Sequence, residues 1–240
     1  MPSTLCIIAG CNGAGKTTLA RELLPRLGLM RFLNADEIAR GLSPLDPALS
    51  AFRAGRILLE EARALLAAGQ SFAIETTLSG NTQAALILKA RARGYRVVLH
   101  YIAIGSAAQA VARVALRAAL GGHHVPADEI RRRFTRSRTH LLDDYLPLAD
   151  EWALWDNNFP PARRIADSTN HTDKELRAML ESSRVQEEAT PDMPQMVRIV
   201  LESSRVATEK MLDYYKRMGI KVTPQMTLAD QPERDGRNAG

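Results

Sequence analysis

Thr4-Leu5-Cys6-Ile7-Ile8-Ala9-Gly10-Cys11-Asn12-Gly13-Ala14-Gly15-Lys16-Thr17-Thr18-Leu19 joins an apolar run to a glycine-rich turn and the start of a helix. Its first six residues are apolar and partly β-branched, the pattern of a buried parallel strand. Gly10 to Thr17 spells a phosphate-binding loop, with a second hydroxyl at Thr18. From Thr17 onward, apolar residues at helical spacing among good helix formers predict a helix. Strand, glycine loop and helix, in that order, give the loop its physical sense. Glycines let backbone N–H groups curl around a polyphosphate, and the helix N-terminus adds a positive dipole end. Lys16 would reach the terminal phosphates and Thr17 would hold Mg²⁺. The residues expected at the nucleotide are therefore Gly10, Asn12, Gly13, Ala14, Gly15, Lys16, Thr17 and Thr18.

Outward from this stretch, strands and helices alternate. Short strands are expected at 31–34, 71–74, 96–104, 151–156 and 164–167, with helices at 47–68, 81–94, 107–120 and 126–140 between them. That alternation predicts an α/β fold: a P-loop NTPase-type parallel sheet flanked by helices, with a C-terminal helical extension. The domain reading is 1–170 for the phosphate-loop domain, 171–226 for the extension and 227–240 for a disordered polar tail. Within the extension, Leu180-Glu181-Ser182-Ser183-Arg184-Val185 recurs as Leu201-Glu202-Ser203-Ser204-Arg205-Val206, and Gln195 to Met218 carries one apolar helical face. Two copies are too few for a solenoid and read as a pair of packed helices.

The chain has 240 residues, 45% hydrophobic and 25% charged, which are values of a soluble globular protein. It has no apolar run of membrane-spanning length and opens directly on a strand, so a cytoplasmic protein without membrane attachment is expected. Cys6 and Cys11 are too few and too close for a disulfide framework, and there is no metal-type spacing. Residues 171–240 are nearly neutral, with 11 Lys/Arg against 12 Asp/Glu, so the net charge of +5 belongs to the phosphate-loop region. Anionic substrates explain that excess; nucleic acid is the less expected partner.

In parallel sheets, ligands sit at the carboxyl ends of the strands. Asp36 falls at such an end and suits either a general base or a helix N-cap. Glu75-Thr76-Thr77-Leu78-Ser79-Gly80 falls at another, fit to grip a hydroxylated ligand or to form a solvated turn. Arg131 to Arg138, after Gly121-Gly122-His123-His124, reads in three ways: a lid supplying arginines to a triphosphate, a nucleic-acid patch, or a solvated helix. His100 sits in an apolar strand and reads as a core residue.

Taken together, Gly-x-x-x-Ala-Gly-Lys-Thr-Thr at the loop, Phe32-Leu33-Asn34-Ala35-Asp36-Glu37-Ile38-Ala39, Phe72-Ala73-Ile74-Glu75-Thr76-Thr77-Leu78-Ser79-Gly80, and Gly121-Gly122-His123-x-Val125-Pro126 with Arg132-Arg133 resemble the zeta toxin family over about residues 4–170. The resemblance implies an ATP-dependent kinase of toxin–antitoxin systems that phosphorylates the 3′-hydroxyl of the amino sugar of UDP-N-acetylglucosamine, with a cognate antitoxin blocking the nucleotide site. By motif it implies Asp36 as base, Lys16 and Thr17 serving ATP and Mg²⁺, and Glu75, Thr76 and Thr77 at the sugar nucleotide. The family's lid arginines fall on Arg117 and Arg132, with Arg113 and Arg133 left open. Two other readings stand beside it: a related phosphotransferase for an antibiotic, nucleotide or other hydroxylated metabolite, and a nucleotide-dependent nucleic-acid-binding switch. Residues 191–240 have no counterpart in the resemblance; they read as a packed helix, an autoinhibitory element or a partner-binding segment.

Overall fold

The computed structural model describes residues 2–119 and 125–187. The glycine pair Gly121-Gly122, His123-His124, the second hexapeptide copy, the 195–218 helix and the 227–240 tail lie outside them. Six strands form one sheet: β1 (Thr4–Ala9), β2 (Phe32–Leu33), β3 (Phe72–Thr76), β4 (Arg96–Ala103), β5 (Glu151–Asp156) and β6 (Arg163–Asp167), in spatial order β2-β3-β1-β4-β5-β6. The first five run parallel. β6 runs antiparallel to β5 and departs from the parallel arrangement expected from the sequence. The reason is length: only residues 157–162 join the two strands, and a parallel crossover needs a dozen or more.

β1 explains why the chain opens with an unbroken apolar run. Leu5, Ile7 and Ala9 belong to one core and Cys6 and Ile8 to the other, all of them essentially inaccessible. A central strand with both faces covered has no polar face to alternate with. The first core takes side chains from α3 (Ala51–Ala67), α4 (Thr82–Arg91) and α7 (Asp173–Glu187), including Leu176 and Leu180. The second is closed by α1 (Lys16–Arg26), α5 (Ala107–Ala119) and α6 (Ala127–His140), through Leu19, Leu24, Val114, Ile130 and Phe134.

Two helices depart locally from the expected course. The helix expected over 47–68 is split into a 3₁₀ turn, Pro47–Ser50, and α3; the Asp46 carboxylate caps the turn by accepting from the Ala48 amide at 3.1 Å. α6 does not end at His140 but widens into a π-helical turn, Leu141–Tyr145. Tyr145, buried in the first core, donates from there to the Gly80 carbonyl. The first hexapeptide copy lies on α7. No described helix is long and apolar enough to cross a membrane.

His100 of β4 sits where the sequence reading placed it, buried, with Nδ1 accepting from the Trp155 indole N–H at 3.2 Å. Burial first, and the Arg164 charge second, push its pKa down to about 4, with Glu151 opposing. The imidazole is therefore neutral in the folded chain. Because the unfolded chain takes up this proton near the ordinary value of 6.5, folding stability is full above that pH and declines as pH falls toward 4. Urea unfolding at pH 7 and pH 5 should show a loss of about 2 kcal/mol from this group. His100→Gln should remove that component of the pH dependence.

Candidate active site

The glycine loop joins β1 to α1, and its shape is set by close backbone approach. A side chain on Gly10, whose φ is +147°, would come within 2.5 Å of the Ile102 carbonyl of β4. One on Gly15, at φ +91°, would come within 2.4 Å of the Asn157 amide nitrogen. Lys16 begins α1 and is buried; its Nζ donates to the Cys11 carbonyl at 3.0 Å and stands 3.8 Å from Glu75 Oε1. Inside the loop Asn12 is buried, and its Oδ1 accepts no hydrogen bond among the described residues. Burial pushes the Cys11 thiol up to about 11, partly offset by Lys16, Arg138 and Arg113, so it stays protonated and is no nucleophile.

Parallel pairing carries Glu75 to the loop, since Ile8 of β1 is its register partner. Glu75 Oε2 accepts two hydrogen bonds of 2.8 Å, from Thr17 Oγ1 and from Asn34 Nδ2. Asn34 has a second task. Its Oδ1 accepts from the Asp36 amide at 2.8 Å and the Glu37 amide at 3.3 Å, which makes it the N-cap of α2 (Ala35–Leu42). Of the two roles open to Asp36 in the sequence, the cap thus falls to Asn34. The Asp36 carboxylate stands exposed on the first turn of α2 and accepts no hydrogen bond among the described residues.

Beyond Glu75 the chain turns sharply. Thr76 is buried and its hydroxyl accepts from the Leu78 amide at 3.1 Å, while Thr77 and Ser79 share a hydrogen bond of 2.8 Å. Leu78 is wholly buried at φ +50°, an uncommon backbone region for a branched residue. Tyr145 holds Gly80 at the far end of this turn.

A cleft of about 750 Å³ lies over these groups. Asn12, Gly13, Gly15, Lys16, Thr17 and Thr18 line it with Asn34, Asp36, Glu75, Thr76 and Thr77. The structure so brings together the loop and both strand-end segments, with Gly10 and Ala14 packed behind. Of the two arginines expected at the lid, Arg117 lines the cleft and Arg132 does not; the two left open, Arg113, one turn from Arg117 on α5, and Arg133 of α6, both line it. Arg113 is held by its Nη2 donating to the Asn158 carbonyl at 2.9 Å. Arg132 pairs instead with Glu129 on the surface of α6. The lining also includes Arg21, Arg40, Arg56 and Phe52, which the sequence did not single out, the last 83% exposed. Arg21 and Arg40 both pair with Glu37. No group of three or more His, Cys, Asp or Glu that could hold a metal ion occurs among the described residues. Thr17 Oγ1 with Glu75 Oε2 is nevertheless an all-oxygen pair beside the phosphate loop, a donor set that suits Mg²⁺ shared with phosphates.

A family model described as an AAA domain matches residues 5–140, more than half of the chain. The chain belongs to the AAA domain family. The match takes in the loop, Asp36, Glu75 and the α5 and α6 arginines, so the whole cleft lies within the family's domain. An uncharacterized protein of Haemophilus influenzae is 29% identical over 134 residues, covering 56% of this chain and 94% of that protein. Among solved structures, a component of the PezAT chromosomal toxin–antitoxin system of Streptococcus pneumoniae superimposes with a TM-score of 0.59 at 15% identity. The superposition covers 85% of this chain and 86% of that one. A chain of the AvrRxo1-ORF1:ORF2 complex with ATP gives 0.60 at 17% identity, over 80% of this chain and 66% of that one. At such identities the likeness is one of fold: this AAA domain protein has a P-loop kinase-like architecture.

Asn34 is the side chain on which α2 and Glu75 both depend. Asn34→Ala should cost roughly 1–2 kcal/mol through the lost cap, read as a shift in denaturant midpoint. Asn34→Asp should recover the cap but set a second carboxylate against Glu75, and so should not restore the midpoint of the unaltered chain.

Proposed function

We propose that this AAA domain protein is an ATP- and Mg²⁺-dependent kinase that phosphorylates an alcohol of a nucleotide-activated amino sugar. The reading carries over the zeta toxin resemblance to UDP-N-acetylglucosamine and its 3′-hydroxyl. The observation that carries it is the uncapped Asp36 carboxylate, in the same cleft as Lys16 and Thr17 of the phosphate loop. A kinase of this kind needs a carboxylate that takes the acceptor's proton close to the end of the triphosphate, together with cations that absorb the charge of transfer.

The chemistry assigns each residue a task. Backbone amides of the loop and the Lys16 ammonium hold the β- and γ-phosphates. Mg²⁺, held by Thr17 and by Glu75 directly or through water, would neutralise phosphate charge. Asp36 accepts the proton as the acceptor oxygen bonds to the γ-phosphorus and the bond to the β–γ bridging oxygen breaks, releasing ADP. Arg113, Arg117 and Arg133 line the cleft and would offset the charge of the transferring group; Arg132 lies outside the lining. Glu75 is bonded to Thr17 and near Lys16, which favours a place on the donor side, leaving Thr76 and Thr77 for the acceptor.

Arg21, Arg40 and Arg56 add cations to the cleft lining, the first two shared with Glu37, and Phe52 supplies an exposed ring. An acceptor with its own phosphates and a planar base suits both. The fold likeness to a component of a toxin–antitoxin system supports the same direction and, with it, a cognate antitoxin as partner. Arg131, Arg132 and Arg133 each pair with Asp128 or Glu129 on α6, so this run offers a nucleic acid few uncompensated charges.

Incubation with ATP, Mg²⁺ and a panel of UDP-sugars should add one phosphate, read by mass, to UDP-N-acetylglucosamine. Transfer to a different hydroxylated metabolite alone would replace the acceptor and keep the chemistry. Asp36→Ala should abolish transfer while ATP binding persists, and Lys16→Ala should weaken both. Full transfer by purified Asp36→Ala would sink the proposal. Among the arginines, Arg117→Ala and Arg133→Ala should each slow transfer far more than Arg132→Ala, by about 10²-fold or more.

A further inference from the structure

Asn157 directly follows β5 and is 7% exposed. Its backbone N–H donates to the Ala103 carbonyl at 2.9 Å, extending the β4–β5 ladder one residue past the strand. With its backbone so anchored, the side chain reaches the phosphate loop, 143 residues away in sequence: Nδ2 donates to the Ala14 carbonyl at 2.8 Å. Oδ1 has no partner among the described residues, so the Ala14 contact alone selects the amide orientation. The opposite orientation would set two acceptors face to face.

The Ala14–Gly15 peptide is the one this contact fixes. A planar trans peptide points its C=O and N–H to opposite sides. Holding the Ala14 carbonyl on Asn157 therefore turns the Gly15 N–H away from Asn157, and Gly15 lines the cleft. The neighbouring residue extends the grip. The Asn158 carbonyl accepts from Gln109 Nε2 and from Arg113 Nη2, both at 2.9 Å, and Arg113 reaches back to the Gly13 carbonyl at 3.5 Å. Asn157-Asn158 thereby ties the loop to α5, which carries Arg113 and Arg117.

We propose that Asn157 is a positioning residue for the phosphate donor: pinning the Ala14–Gly15 peptide, it aims the Gly15 N–H at the phosphates without touching them. The inference rests on the reading of the cleft as a triphosphate site. Asn157→Ala removes the donor. Asn157→Asp keeps the volume and puts an acceptor in its place, which guards against a collapse caused only by lost packing. Calorimetric titration with Mg²⁺ and ATP, at a temperature well below every variant's melting point, should give roughly tenfold weaker binding for both. Hydrogen exchange of the 10–17 amides in the ligand-free chain should quicken in both, while β1 exchange holds. A purely structural role would lower the melting temperature and leave ATP affinity unmoved. Equal ATP affinity in the unaltered chain and the two folded variants therefore overturns the inference alone. Absence of ATP binding by the unaltered chain overturns the donor reading, and the inference falls with it.

Discussion

The carboxylate of Glu75 is the point on which the cleft hangs. It stands at the carboxyl end of β3, brought beside the phosphate loop by parallel pairing with β1, and accepts from Thr17 and Asn34 at once. An acceptor-only group with two donors and a nearby ammonium is well satisfied at this nearly buried position, where an unpaired charge would be costly. Three segments distant in sequence are thereby held to a common centre: the first turn of α1, the start of α2 and the end of β3. Asn34 passes the constraint on, because the side chain that donates to Glu75 also caps α2 and sets the turn on which Asp36 stands. Displacing Glu75 would move the phosphate loop and the start of α2 together.

Much of the fold was legible because β1 and the loop speak through local chemistry. An apolar run buried on both faces, glycines at positive φ and a lysine opening a helix need no distant information to be read. The same holds for Asp36 and Glu75, whose places follow from lying at strand ends. What escaped the sequence was long-range. The antiparallel course of β6 is the exception, for the expected strands 151–156 and 164–167 already leave too few residues between them for a parallel crossover. The choice among Arg113, Arg117, Arg132 and Arg133 depends on the rotation of α5 and α6 about their axes, since Glu129 pairs with Arg132 and Arg133 alike. Asn157 carries no signal beyond its place after a strand; only the approach of β5 to the loop gives it meaning.

The two cores divide this labour. Beneath one face, Tyr145 and the π-helical turn hold the far end of the Glu75–Gly80 segment; beneath the other, Phe134 and Ile130 seat α6, which carries Arg133. α6 and its π turn are continuous, so one helical rod is anchored on both sides of the sheet's carboxyl edge. Unusual helical turns of this kind are frequent where a helix must be re-aimed at a functional site.

The antiparallel β6 has a bearing on self-association. A parallel sheet that stopped at β5 would present a long apolar strand, Trp152 to Trp155, as an open template for another chain. β6 covers it with exposed Arg163 and Arg164 on the outermost strand, and the opposite border, β2, is only two residues long. Both borders are thus poor seeds for edge-to-edge aggregation, one through charge and the other through brevity.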